Sequence, residues 1–221
     1  MSRGNALPTP LAHVIGGLAA TRLLDARGGR RLLFLVLFAF VYANLPDLDF
    51  LPGLLRGDPR AYHRGSTHSL GAALVVALAT GVFARWRGWG FRLPFLLAFA
   101  AYGSHLVLDG ITPDTHGRAG IPLFWPLSNT LVGEALPIPW RLREFLHLRL
   151  GDDATSFLTT LLSGRAALVI FVEGLLFAPL LAIPAIVRRV FRPFASAASV
   201  AASGSRNRIP EPPQGKMPRA S

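Results

Sequence analysis

Residues 44–69 read NLPDLDFLPGLLRGDPRAYHRGSTHS. The stretch joins two apolar runs and carries Asp47, Asp49, His63 and His68 between them. A third apolar run ends in His105-Leu106-Val107-Leu108-Asp109, while most other apolar segments hold no ionisable side chain. Histidines and aspartates gathered at the ends of hydrophobic segments need a physical reason. Metal binding is the simplest, because imidazole and carboxylate are the donors that zinc, manganese and iron accept. The pattern predicts an all-α, polytopic membrane bundle of about four to five hydrophobic helices with a polar metal site at one membrane face.

Composition agrees with a membrane chain. Apolar residues make up 51% of the 221 positions and charged residues only 16%, against about a quarter charged in soluble domains. The mean hydropathy is +0.41. With no cysteine in the sequence, disulfides, thiolate ligands and a cysteine nucleophile are excluded. The net charge is +11, nearly all of it from arginine. These arginines are spread over segment flanks and the C-terminal tail, in no nucleic-acid-binding motif, and they suit loops beside membrane spans. No cleavable signal peptide is read at the N-terminus, where His13 interrupts the apolar run.

Outward from the opening stretch, Thr9-Pro10 reads as a helix start, with a helix from Pro10 to Leu24. Leu32 to Leu45 is strongly apolar and is stopped by Pro46. At about 14 residues it falls short of the about 20 that cross a bilayer core. Gly53 to Gly65 reads as a polar loop. Ser66 or Thr67 can cap a helix from His68 to Ala84, and Leu93 to Asp109 forms the next one. The section 110–164 is polar, with PLFWPLSN inside it, Trp125 as an interfacial aromatic, and an amphipathic helix expected near Trp140 to Leu150. Ala166 to Val187 reaches roughly 33 Å, enough to cross, and carries Glu173 as an intramembrane charge. A membrane-embedded domain is expected over 1–192 and a disordered basic tail over 193–221.

Arginines cluster at 22, 27, 30 and 31, at 85, 87 and 92, and at 188, 189 and 192. If the first helix spans, all three clusters share one membrane face, and the positive-inside rule makes that face cytoplasmic. His13, Asp47, Asp49, His63, His68, His105 and Asp109 then meet at the other face.

Each residue also has a plainer reading. His105 and Asp109, four apart on a helix, can grip one ion, or Asp109 can orient His105. Asp47 and Asp49 could be solvated loop carboxylates, and His13 alone an interfacial histidine. Arg64 could clamp a phosphate or face lipid headgroups. Asp114 and His116 could join the site, and Glu144 and His147 could form another pair or a polar helix face. No nucleophile elbow or phosphate-binding glycine loop is present.

TPLAHVIGG, NLPDLDF, HRGSTHS, SHLVLDGITP and PLFWPLS, in that order over about residues 9–129, resemble the YdjM-like family of inner-membrane, metal-dependent hydrolases. That family is distantly similar to zinc-dependent phospholipase C. The resemblance implies a divalent metal, zinc first with manganese or iron(II) as substitutes, held by His13, Asp47, His63, His68, His105 and Asp109 with Asp49 beside them. The phospholipase pattern has a further His and Glu late in the chain. Only His116, Glu134, Glu144 and His147 offer themselves here, none at matching spacing. The expected activity is hydrolysis of an ester or phosphoester, with a lipid as the candidate substrate at headgroup depth. Asp49 serves as ligand or base, and Arg64 binds substrate charge. The alternative is a non-catalytic membrane protein with a structural or transport metal site, its tail binding a partner or anionic lipid.

Overall fold

The computed structural model describes residues 10–25, 32–58, 61–111, 120–133 and 162–190, together with the short strands at 5–6 and 147–148 and residue 159. Helix α1 covers Pro10–Leu24 and α2 Leu32–Asn44. Pro46 cannot donate to the helix ladder, yet it does not end the helical run. A 3-10 turn over Pro46–Asp49 carries the chain into α3, Phe50–Leu55. The expected loop from Gly53 therefore begins later, and Leu32–Leu55 becomes one helical run long and apolar enough to cross a membrane. Arg92–Ile111 and Gly164–Val190 meet the same criterion, whereas Pro10–Leu24 and Leu70–Trp86 are shorter apolar helices.

Helix α4 is Leu70–Trp86 and α5 is Arg92–Ile111. The cap of α4 is Ser69, not Ser66 or Thr67, because Ser69 Oγ accepts from Ala72 N at 3.1 Å. His68 is thereby held just outside the helix. Helix α6, Gly164–Phe177, is capped by Ser163 and followed by a 3-10 turn over Ala178–Ala182. Asn5–Ala6 (β1) pairs antiparallel with His147–Leu148 (β2). The helix expected near Trp140 to Leu150 is thus replaced at these two residues by main-chain pairing with the N-terminal segment. The rest of that range, Asp114, His116, Glu134, Glu144 and the tail 193–221 lie outside the described residues.

The interior is built from small side chains. Ala12, Ala19, Ala39, Ala43, Ala73, Ala77, Ala98 and Ala101 are buried, while Leu33, Leu37, Phe40, Val75, Val82 and Phe171 face outward. This inverts a soluble core. In lipid, apolar bulk gains nothing from burial, so helices associate through small residues that let backbones approach. A Cβ on Gly17 of α1 would lie 2.8 Å from Ala43 Cβ of α2. A Cβ on Gly174 of α6 would lie 2.7 Å from Leu11 Cδ2.

Helices α1 and α4 begin at the end of the bundle where α2 and α5 finish. His13 in the first turn of α1, the turn after α2, His68 before α4 and Asp109 near the end of α5 consequently share one end. Arg22, Arg85, Arg87 and Arg92 fall at the opposite helix ends.

Gly17→Val is expected to lower the thermal stability of the detergent-purified protein by about 1–3 kcal/mol through overpacking against Ala43. Gly103→Ala, where an added Cβ meets nothing within 4 Å, should leave it unchanged or raise it by about 0.5–1 kcal/mol. Thermal unfolding followed by size-exclusion chromatography measures both, and equal melting points for the two variants would contradict the close α1–α2 approach.

Candidate metal centre

Two trios each bring one donor atom per residue within 4.8 Å of the others: His13, His105 and Asp109, and Asp47, His63 and His68. These groups could hold a metal ion. The trios adjoin each other. His68 Nε2 and His105 Nε2 lie 3.1 Å apart. Asp109 Oδ2 is 3.2 Å from the first and 3.4 Å from the second. Asp47 Oδ1 is 3.5 Å and 3.6 Å from the same two nitrogens. Donors about 2.0–2.1 Å from a tetrahedral zinc stand about 3.3 Å from one another, and these five spacings are of that size.

The histidine tautomers follow from the hydrogen-bond network. His105 Nδ1 donates to the Ala43 carbonyl at 2.7 Å, which leaves Nε2 with its lone pair. His68 Nδ1 lies 3.1 Å from Asp49 Oδ2 and 3.1 Å from Thr67 Oγ1, and Thr67 donates to that same oxygen at 2.9 Å. His63 Nδ1 is 3.2 Å from Asp49 Oδ1, and its Nε2 is buried without a hydrogen-bond partner. Neutral His68 and His105 would face each other with bare lone pairs, an arrangement that only a proton or a cation relieves. Burial opposes charge on His68, but its hydrogen bonds with Asp109, Asp47 and Asp49 outweigh that and hold its pKa well above the ordinary histidine value.

Both Asp49 oxygens are engaged by imidazole Nδ1 atoms. Asp49 is thus arranged to orient His63 and His68, the usual duty of a carboxylate behind a metal-binding histidine. His63 also stacks on Phe50, with ring centroids 3.9 Å apart. His13 stacks on His105 at 3.7 Å, points Nε2 toward Asp109 Oδ1 at 3.6 Å and has a buried Nδ1 without a hydrogen-bond partner.

Arg64 is 1% exposed and places a terminal nitrogen 3.6 Å from Asp109 Oδ1. It is therefore not a surface arginine among lipid headgroups. Its φ of +56° is left-handed, a conformation non-glycine residues rarely hold. The turn is tight: Gly65 N bonds Tyr62 O at 3.1 Å, and a Cβ on Gly65 would lie 2.8 Å from that oxygen. This geometry turns the guanidinium inward.

All eight site residues expected from the sequence come together at this end of the bundle. Glu173 is buried in α6 but belongs to neither trio. The side chain of His147 lies outside the description. Sequence reasoning missed three supports: the Ala43 carbonyl, Thr67, and Tyr102, whose hydroxyl donates to the Thr67 carbonyl at 2.7 Å. Tyr102, a lone phenol three residues before His105 in an apolar helix, was the available signal.

A model of the YdjM inner membrane protein family matches residues 9–190. The chain belongs to that family. The match runs well past residue 129, where the recognised motifs end, and takes in α6, so the family resemblance covers the last apolar helix as well. No curated protein and no solved structure matches the chain. Family membership and the three long apolar helices make this a membrane protein.

Asp109 is buried among His13, Arg64, His68 and His105. Asp109→Ala strips Arg64 of this carboxylate and should cost about 3 kcal/mol or more. Asp47, whose side chain is 23% exposed, should cost less when changed to Ala. Melting temperatures of the metal-free variants test the order, and a reversal would place the charge balance elsewhere.

Proposed function

We propose that this protein is a membrane-bound, metal-dependent hydrolase acting on an ester or phosphoester at the membrane interface. One observation carries the reading: His68 Nε2 and His105 Nε2 lie 3.1 Å apart with an oxygen of Asp47 and one of Asp109 each within 3.6 Å of both, and the other nitrogen of each ring is already committed. Zinc fits this donor set best, with manganese or iron(II) as substitutes. His13, Asp47, His63, His68, His105 and Asp109 are the ligand candidates, and Asp49 positions two of the rings. A divalent metal bound there supplies Lewis acidity and makes water acidic enough to act as a nucleophile near neutral pH. Asp47, the member of the cluster most open to solvent, gives water and substrate their approach. Arg64, fixed beside Asp109, offers a planar fork to negative charge that grows on the scissile group.

The near-complete burial of His68, His105 and Asp109 also suits a closed structural site, since structural zinc fills all four positions with protein ligands. Under that reading a chelator lowers stability and no substrate turns over.

We further propose that the site faces the extracytoplasmic side, from the arginines at the opposite helix ends. In the otherwise cysteine-free chain, Leu55→Cys should react with an impermeant thiol reagent on intact cells and Arg87→Cys should not. The reverse pattern inverts the topology. The domain is proposed to span 1–192, with membrane lipid as its immediate partner and the tail as a basic appendage.

Asp49→Asn should weaken metal binding by about 10–100-fold, with unchanged membrane insertion. Metal titration of the purified variant checks this, and wild-type affinity would remove the positioning role. The pH dependence has a definite sign. With its pKa raised, His68 stabilises the metal-free fold below about pH 6.5, and that contribution fades as pH rises through the raised value. Metal needs the neutral ring, so affinity falls with acid and binding releases a proton. Calorimetry in buffers of different ionisation enthalpy reads that proton directly.

Arg64→Lys keeps the charge and loses the planar fork. It should retain metal and lose about a hundredfold in kcat on a phosphoester panel. Chelator-insensitive turnover, or none with metal bound, would favour the structural reading.

A further inference from the structure

A pocket of about 430 Å³ is lined among the described residues by Ser66, Pro122, Trp125, Asn129 and Leu131. Ser66 lies two residues from both Arg64 and His68, so along the chain the pocket wall is within about 7 Å of the centre's backbone. Nothing in the proposed mechanism uses this space.

The wall is firmly built. Ile121 and Val132 exchange backbone hydrogen bonds at 2.9 and 2.8 Å, closing the loop at its base. Ile121 is fully buried against Ala73, Tyr102 and Leu106. Leu70 N at the start of α4 donates to Leu123 O at 2.8 Å. The loop also leans on Gly71, where a Cβ would fall 2.5 Å from the Trp125 carbonyl oxygen. The other wall is held by Tyr102, which fixes the Thr67 carbonyl.

The lining has a definite chemistry. Pro122, Trp125 and Leu131 are apolar, Ser66 and Asn129 are neutral hydrogen-bonding groups, and no described lining residue is charged. Among the described residues the lining offers an anionic headgroup no counter-charge. The volume falls within the roughly 300–1,000 Å³ of small-molecule sites. Phe124 and Leu127 at the loop tip face outward, Leu127 at 93% exposure, and extend the apolar surface beyond the mouth.

We propose that this pocket binds the uncharged, chiefly apolar part of an amphiphile, holding it beside the His/Asp centre. That the bound part lies next to a bond to be cleaved rests on the hydrolase reading; the binding itself does not. Trp125 and Leu131 contact the hydrocarbon, while Ser66 and Asn129 meet a neutral oxygen function next to it.

The chain has no cysteine, so Leu131→Cys can carry a single environment-sensitive fluorophore, with Val75→Cys on the outward face of α4 as control. Both proteins, in nanodiscs, are titrated with monooctanoylglycerol below its critical micelle concentration, and with glycerol. The expected result is a saturable response to the monoglyceride at position 131, a merely linear partition response at 75, and none to glycerol. Adding Trp125→Ala should weaken the saturable phase about tenfold, and chelator should leave it in place. A linear response at both positions, or indifference to Trp125→Ala, overturns the pocket. Turnover is read separately. Saturable binding without chelator-sensitive hydrolysis of the monoglyceride or of any member of the phosphoester panel keeps the pocket and sinks the hydrolase, whereas hydrolysis without saturable binding does the opposite.

Discussion

Asp109 sits where His13, Arg64, His68 and His105 converge, out of reach of water. A carboxylate and a guanidinium cannot be buried singly at tolerable cost. Each segment that supplies a partner must therefore be drawn to the same place. The first turn of α1, the turn after α2, the HRGSTH loop and the end of α5 meet because these charges have nowhere else to go. In a bundle whose helices gain little from burying apolar bulk, this polar knot does what a hydrophobic core does in soluble proteins. It selects which helix ends lie together.

The small residues serve the same end. Alanines and glycines let α1, α2 and α5 approach closely enough for short side chains such as aspartate to span the gaps between them. Bulkier residues at positions 17 or 43 would hold the donors apart. The site's spacing is thus fixed partly by residues with no chemistry of their own.

The helices were legible because their apolar runs are long and bounded by proline, glycine and arginine; Pro10–Leu24 is visible to the residue. Pro46 misled, since a proline normally ends a helix, and a 3-10 turn that carries the chain onward leaves no mark in composition. The gathering of these candidate residues at one end of the bundle was legible from residue type and from the alternating direction of the apolar helices. What was hidden depends on distances: that Arg64 turns inward, that both oxygens of Asp49 are taken by imidazoles, and that the loop around Trp125 walls a pocket. Left-handed backbone at an arginine cannot be read from a sequence, because arginine has no preference for it. Main-chain acceptors are equally silent, since every residue has one.

That last point bears on how this site can vary. His105 is aimed by the carbonyl of Ala43, in the final turn of α2, where helix carbonyls lack partners of their own. No side-chain replacement can delete that acceptor. Sequence drift at position 43 is policed by size alone, through the contact with Gly17, while the ring's bearing is inherited from the path of the backbone. The Nδ1 atoms of His63 and His68 rest instead on side chains, both on the carboxylate of Asp49 and that of His68 on Thr67 as well. One ring of the centre takes its bearing from the main chain, which substitution cannot remove, and two take theirs from side chains, which it can.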